Sequence, residues 1–207
     1  EDTPKDSNGN YNFECPEALD LDLFNKHLSE LLEGKVVDMP TFDFVDGKKK
    51  YLGKKLQIQD NTLLIIEGIH ALNPILTSAI DDSIKYKIFV SALTQISIDS
   101  QNPIPTTDNR LIRRMVRDYR YRGYSALDTL QRWQSVRHGE EKYIFPFQEK
   151  ADIMFNSALL CELGILKLYA EPILHEVPEN VPEYSEAVRL LKFLSYFKRI
   201  PEKEIPP

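Results

Sequence analysis

Arginine is the residue placed most unevenly in this 207-residue chain. Eight of its ten arginines fall between Arg110 and Arg137, and no lysine occurs from position 88 to position 141. A face that only had to stay solvated would mix the two cations. An arginine-only face points instead to planar, bidentate binding of phosphate or carboxylate, which lysine does not offer. Within TTDNRLIRRMVRDYRYRGYS, from Thr106 to Ser125, Ile112, Met115, Val116 and Tyr119 repeat at the spacing of one buried helix stripe. Arg110, Arg113, Arg114 and Arg117 repeat at the same spacing on the adjoining face. Thr107 or Asp108 is the expected N-cap and Gly123 the expected stop. Guanidiniums stacked along one face repel one another unless an anion meets them. Three readings are open: a polyphosphate clamp, salt bridges to the acidic excess elsewhere in the chain, and a recognition helix laid along nucleic acid. The clamp is the favoured one.

A second candidate is Glu67. Thr62 to Ile66 is a continuous apolar run, as expected of a strand buried on both faces of a parallel sheet, and Glu67-Gly68-Ile69-His70 follows it. An acid at the end of such a strand, followed by glycine, is how nucleotide-binding α/β proteins place a carboxylate near a Mg²⁺–phosphate complex. Strands also end in acids simply because they end at water. The usual companion, a G-x-x-x-x-G-K-[ST] phosphate loop, is not found among the eight glycines. His70 is expected to be a structural hydrogen-bonder, with substrate contact as the alternative. His27 and His138 read as surface residues, and Trp133 as core. Lys48, Lys49, Lys50, Lys54 and Lys55 read as the solvated side of a hairpin. Nothing places Cys15 or Cys161 near a base, so a Cys/His nucleophile is not supported.

The elements that must position these residues follow from pattern. Pro16 to Leu32 has helical periodicity with Gly34 as its stop. Val36 to Gln59 reads as a β-hairpin turning at Asp46-Gly47. Tyr86 to Val90 and Ile153 to Asn156 read as further strands. Pro74 to Ala79, the arginine segment and Ser125 to His138 read as helices, as does Ser185 to Phe197. Glu162 to Leu174 fits a helix or a strand. Glu1 to Asn12 reads as loop, and residues 198–207 as a Pro-rich tail. Buried strands alternating with helices imply one α/β domain with a largely parallel sheet.

Composition narrows the class further. Hydrophobic residues make up 42% and charged residues 28%, which is globular rather than disordered. The net charge of −6 argues against a bulk nucleic-acid binder. The apolar runs fall far short of the ~20 residues of a membrane span, and no secretory signal is expected. Two cysteines 146 positions apart read as a reduced, cytoplasmic pair rather than a disulfide.

Three segments together carry a likeness to a known family: Tyr11 to Phe44, Leu63 to Leu72 (LLIIEGIHAL) and Thr107 to Gly123 (TDNRLIRRMVRDYRYRG). In order and spacing, over roughly residues 1–175, they resemble the uridine kinase and phosphoribulokinase-like branch of P-loop kinases. Within it the likeness is greatest to bacterial uridine-kinase-like domains that can follow a threonyl-tRNA-synthetase-like region. The resemblance implies an α/β P-loop NTPase-type fold, with residues 36–59 as a hairpin over the substrate and 106–140 as a lid region. It implies ATP and Mg²⁺ as cofactors and a nucleoside or similar hydroxyl compound as acceptor. The first strand, the phosphate loop and a general-base Asp would stand upstream of these 207 residues, so the chain alone is expected to be nearly inactive. By the same resemblance Glu14, Phe42, Asp43 and Arg114 bind the acceptor and Glu67 stands near Mg²⁺. Arg113, Arg114 and Arg117 act on the transferred phosphoryl group, and Arg117 and Arg122 on the donor. Besides Phe42, where the family more often has Tyr, three positions depart from the family pattern. Gly47 stands where a pyrimidine-reading His is usual, Tyr124 where a substrate-binding Arg is usual, and Arg132 where a Gln is usual. A homo-oligomer is compatible with the resemblance, and neither membrane nor nucleic acid is an expected partner. The rival reading is a non-catalytic RNA-binding or regulatory module of a larger translation-related protein.

Overall fold

The computed structural model describes residues 3–5, 9, 11–43 and 48–204, with Glu202 described by its backbone only. These form two compact units, Glu1–Ile88 with Gly139–Asp152, and Phe89–His138 with Ile153–Pro207.

The first unit begins with a 3₁₀ turn, Pro16–Ala18, and helix α1, Leu21–Leu32. The single helix expected from Pro16 is thus broken in two. Leu19 is extended, and the Asp20 side chain accepts from Leu23 N–H at 3.1 Å, which caps a new helix rather than continuing the old turn. Leu28 and Leu31 of α1 are buried, and Asn25 accepts from Ala79 N–H at 3.0 Å. That contact fixes the 3₁₀ turn Pro74–Thr77, shorter than the helix expected there. Strands β1 (Val37–Asp43) and β2 (Lys48–Leu56) pair antiparallel from Val37–Leu56 to Asp43–Lys48, with an irregularity between Asp38 and Pro40. Proline has no N–H to give the ladder, so the register slips where Pro40 enters it. Every lysine of β2 is exposed, as expected of a solvated hairpin side, and Lys49 and Lys50 pair with Asp20 and Asp43 at 2.5 and 2.7 Å. The turn residues Asp46 and Gly47 lie outside the described residues.

The second unit holds, apart from Ile88, a parallel pair, β3 (Ile88–Ser91) and β4 (Ile153–Asn156). Bonds from Asp152 N to Lys87 O (2.8 Å) and from Ser157 N to Ser91 O (2.9 Å) rise together along both chains. Helix α2 spans Thr106–Arg122, and α3 spans Ala126–Tyr143, its last five residues belonging to the first unit. Ser125 opens α3 with a reciprocal cap: its Oγ accepts from Asp128 N–H, and Asp128 accepts from Ser125 N–H at 2.8 Å. Helices α4 (Glu162–Leu174) and α5 (Tyr184–Ser195) complete the unit, which settles 162–174 as helix. Leu111, Ile112 and Met115 of α2 pack with Leu174, Leu190 and Leu194 in one buried core. Partly buried Trp133 packs against it.

The expected continuous parallel sheet is not formed among the described residues. There are two two-stranded sheets, one of them antiparallel. Thr62 to Ile66 belongs to neither, and its Leu63 and Ile65 are 84% and 80% exposed. Apolar character suits a segment to a buried strand, but a strand exists only where a neighbour takes its N–H and C=O groups. No described segment does so here.

Candidate functional site

Helix α2 sets out the arginines as the periodicity requires. Ile112 and Met115 are fully buried, and Gly123 ends the helix in the left-handed conformation at φ 69°. Tyr119 departs from the stripe: it is exposed, and its hydroxyl donates to Glu176 at 3.2 Å. The N-cap also differs. Pro105 precedes the first turn without a side-chain cap, and Asp108 is instead a buried partner of Arg189 in α5. Arg189 Nη1 and Nη2 meet its two oxygens at 2.7 and 2.8 Å, a bidentate pair.

The anion that the arginine face needs is supplied by α2 itself. Asp118 is 2% exposed and lies 2.8 Å from Arg117 Nη2, 3.3 Å from Arg114 Nε and 3.3 Å from Arg122 Nη1. One carboxylate therefore gathers three guanidiniums. The signal was present in the sequence, because Asp118 stands four residues from both Arg114 and Arg122. Arg113 is held separately, its Nη1 3.5 Å from Ser157 Oγ and its Nε 3.9 Å from a Glu162 oxygen. Arg120 and Arg132 lie over the rings of Tyr169 and Tyr124 at 4.8 and 4.3 Å, so two of the positions that depart from the family pattern are stacked together.

Glu14, Phe42, Asp43 and Glu67 belong to the first unit, and the four arginines to the second. Glu14 donates its N–H to Asn12 Oδ1 at 3.0 Å, and α3 comes so close that a Cβ on Gly139 would sit 2.6 Å from Glu14 Cβ. Beside them is His70, 4% exposed, with neither ring nitrogen hydrogen-bonded and its ring edge-on to Tyr143 at 6.3 Å. Its expected role as a structural hydrogen-bonder is thus corrected: the ring is buried by packing. That burial pushes its pKa down, while nearby Glu14 and Glu17 pull it up. The buried Cys15 thiol donates to Asn12 O at 3.3 Å and is pushed up in pKa by burial, the opposite of a reactive thiol. Phe42 is exposed near the end of β1, and Asp43 is paired with Lys50.

Glu67 is an exposed, single carboxylate. No group of three or more His, Cys, Asp or Glu able to hold a metal occurs among the described residues. An exposed carboxylate such as Glu67 is the kind of ligand Mg²⁺ takes, one or two at a time together with phosphate and water rather than in an all-protein cage.

Comparison with known proteins gives the chain a family. The sequence profile of the Phosphoribulokinase / Uridine kinase family matches residues 1–161. The chain belongs to this family. It is similar to proteins described as uridine kinase from Borrelia turicatae (33% identical), Borrelia hermsii (31%) and Borrelia duttonii (30%). Each likeness runs over 145 residues, 69% of this chain and 61% of the relative. The chain thus spans less than two thirds of the length of those relatives. Residues 162–207, which carry α4 and α5, lie beyond the matched segment. Among the described residues no helix is long and apolar enough to cross a membrane.

Proposed function

We propose that the chain is part of an ATP-dependent phosphotransferase of the uridine kinase type, moving a phosphoryl group from ATP to a hydroxyl of a nucleoside or related acceptor. The observation that carries the reading is the arginine face of α2 in a chain of this family: between positions 110 and 122 six arginines stand with a single acid, Asp118. Charge spreads over the transferred oxygens in the transition state, and catalysis of this transfer is mostly positioning and electrostatic stabilisation. Arg113, Arg114 and Arg117 would meet those oxygens, and Arg117 with Arg122 the donor phosphates. Glu14 would hold the acceptor's hydroxyls, with Phe42, Asp43 and Arg114 lining its site. Glu67 would hold Mg²⁺, which when bound neutralises charge shared between the phosphates. The 207 residues carry no G-x-x-x-x-G-K-[ST] loop. On this reading the main phosphate contacts and the parallel neighbour of Thr62 to Ile66 come from sequence outside them, and the chain alone is nearly inactive.

The test is ADP release from Mg²⁺–ATP with a panel of nucleosides, pantothenate and ribulose 5-phosphate, on the 207-residue chain and on a chain extended upstream. Acceptor-dependent turnover by the longer chain, lost in R117A, is the expected result. Absence of turnover with any acceptor, together with RNA affinity that falls steeply with salt, would transfer the reading to an RNA-binding module.

A further inference from the structure

Arg113, of the proposed phosphoryl set, has a carboxylate partner outside α2. Glu162, the first residue of α4, is 8% exposed and belongs to the segment beyond the family match. Its Oε1 accepts from Asn109 Nδ2, its Oε2 accepts from Leu159 N–H at 3.4 Å, and the same oxygen lies 3.9 Å from Arg113 Nε. Asn109 is fully buried one turn before Arg113 on α2. The orientation of its amide follows from chemistry: an ionised carboxylate only accepts, so the Asn109 NH₂ must face Glu162. Its Oδ1 is left without a partner. Asn109, Asn156 and Glu162 line a small cavity of about 40 Å³, room for one water molecule. A carboxylate this buried needs a cation, and Arg113 faces it.

We propose that Glu162 is the positioning residue for Arg113, steadied through Asn109, so that α4 completes the phosphate-handling face of α2. The tether is at Nε, and Nη1 makes only a limiting 3.5 Å contact with Ser157, so the outer edge of the guanidinium stays available to a phosphoryl group. Asp118, by contrast, is shared among Arg114, Arg117 and Arg122 from within their own helix and mainly offsets their charge. Glu162 thus reaches Arg113 by tertiary packing, whereas Asp118 reaches its three arginines by helical spacing. This inference rests on the proposed phosphoryl role of Arg113.

The experiment is calorimetric titration of the 207-residue chain with inorganic triphosphate at low salt, for wild type, R113A, E162Q and the double variant. Gln at 162 keeps the shape and can still accept from Asn109. Charge alone predicts that removing an anion beside a phosphate-binding arginine tightens triphosphate binding. Positioning predicts the opposite: affinity falls about five-fold in E162Q, with no further fall when E162Q is added to R113A, a non-additivity expected only of coupled residues. E162D, which restores the charge, recovers part of the loss, and circular dichroism checks that each variant is folded. If R113A weakens binding while E162Q does not, or if their effects add, the positioning role is overturned and the role of Arg113 stands. If R113A leaves affinity unchanged, the phosphoryl role of Arg113 fails and this inference with it.

Discussion

Replacing Gly139 by alanine opposes two effects whose magnitudes can be worked out. Gly139 lies in α3, where alanine is ordinarily better than glycine by ~1 kcal/mol. Here the new Cβ would stand 2.6 Å from Glu14 Cβ, with Glu14 Cγ at 3.4 Å and its carbonyl oxygen at 3.5 Å. Carbon atoms pack at about 3.5–4.0 Å, so the two backbones must separate by roughly 1 Å. A Cβ is fixed by its own backbone and cannot rotate away, unlike the tip of a long side chain. Overpacking of this kind costs about 1–3 kcal/mol, and a backbone-anchored overlap belongs at the upper end. The net expectation for G139A is a destabilisation of about 2 kcal/mol. With a urea slope of roughly 2 kcal/mol/M, the unfolding midpoint falls by about 1 M at unchanged slope. Displacing Glu14 by that distance should also raise the acceptor KM in a chain that turns over, since a shift of ~1 Å can cost up to about 100-fold. A midpoint equal to or above wild type would refute the reasoning, because helix propensity would then have outweighed the close approach.

Three further expectations concern other parts of the molecule. R189M strips the nearly buried Asp108 of its bidentate partner, and because Arg189 is half-exposed the loss is put at about 1–3 kcal/mol. Urea unfolding at low salt and at about 0.5 M salt checks it, and a loss that disappears in salt argues against a desolvated pair. D118N removes the carboxylate shared by three guanidiniums; stability falls by about 1–2 kcal/mol at low salt and recovers as salt is added, while triphosphate affinity rises several-fold. Unchanged affinity in the calorimeter would mean that these arginines do not meet the anion. His70 has a folded-state pKa below its ordinary 6.5, so between those values the unfolded chain binds the extra proton. The contribution of His70 to stability is therefore constant above pH 6.5 and declines below it by at most ~1.4 kcal/mol per pH unit, levelling off once the folded-state value is passed. H70F should flatten that slope in urea titrations between about pH 4 and 8, and an equal slope in the variant would rule His70 out as its source.

Much of this protein is local and was legible in the sequence. The buried stripe of α2, its stop at Gly123, the hairpin of β1 and β2 and the helix α5 all follow from periodicity and terminators, which act over a few residues. Asp118 belongs to the same class, since helical spacing alone brings its carboxylate to Arg114 and Arg122, although composition drew attention to the cations first. What the tertiary structure decided is where distant residues meet. Asp108 turns from an expected cap into a clamp because Arg189, 81 residues away, reaches it. Glu162 finds Asn109 across 53 positions, and Gly139 exists for Glu14. The run Leu63 to Ile66 shows the same limit from the other side. Its composition suits a buried strand, but strand formation is a property of a pair, and the residues described here provide no second member. Sequence sets what each segment is suited to; packing decides which partner is there to receive it.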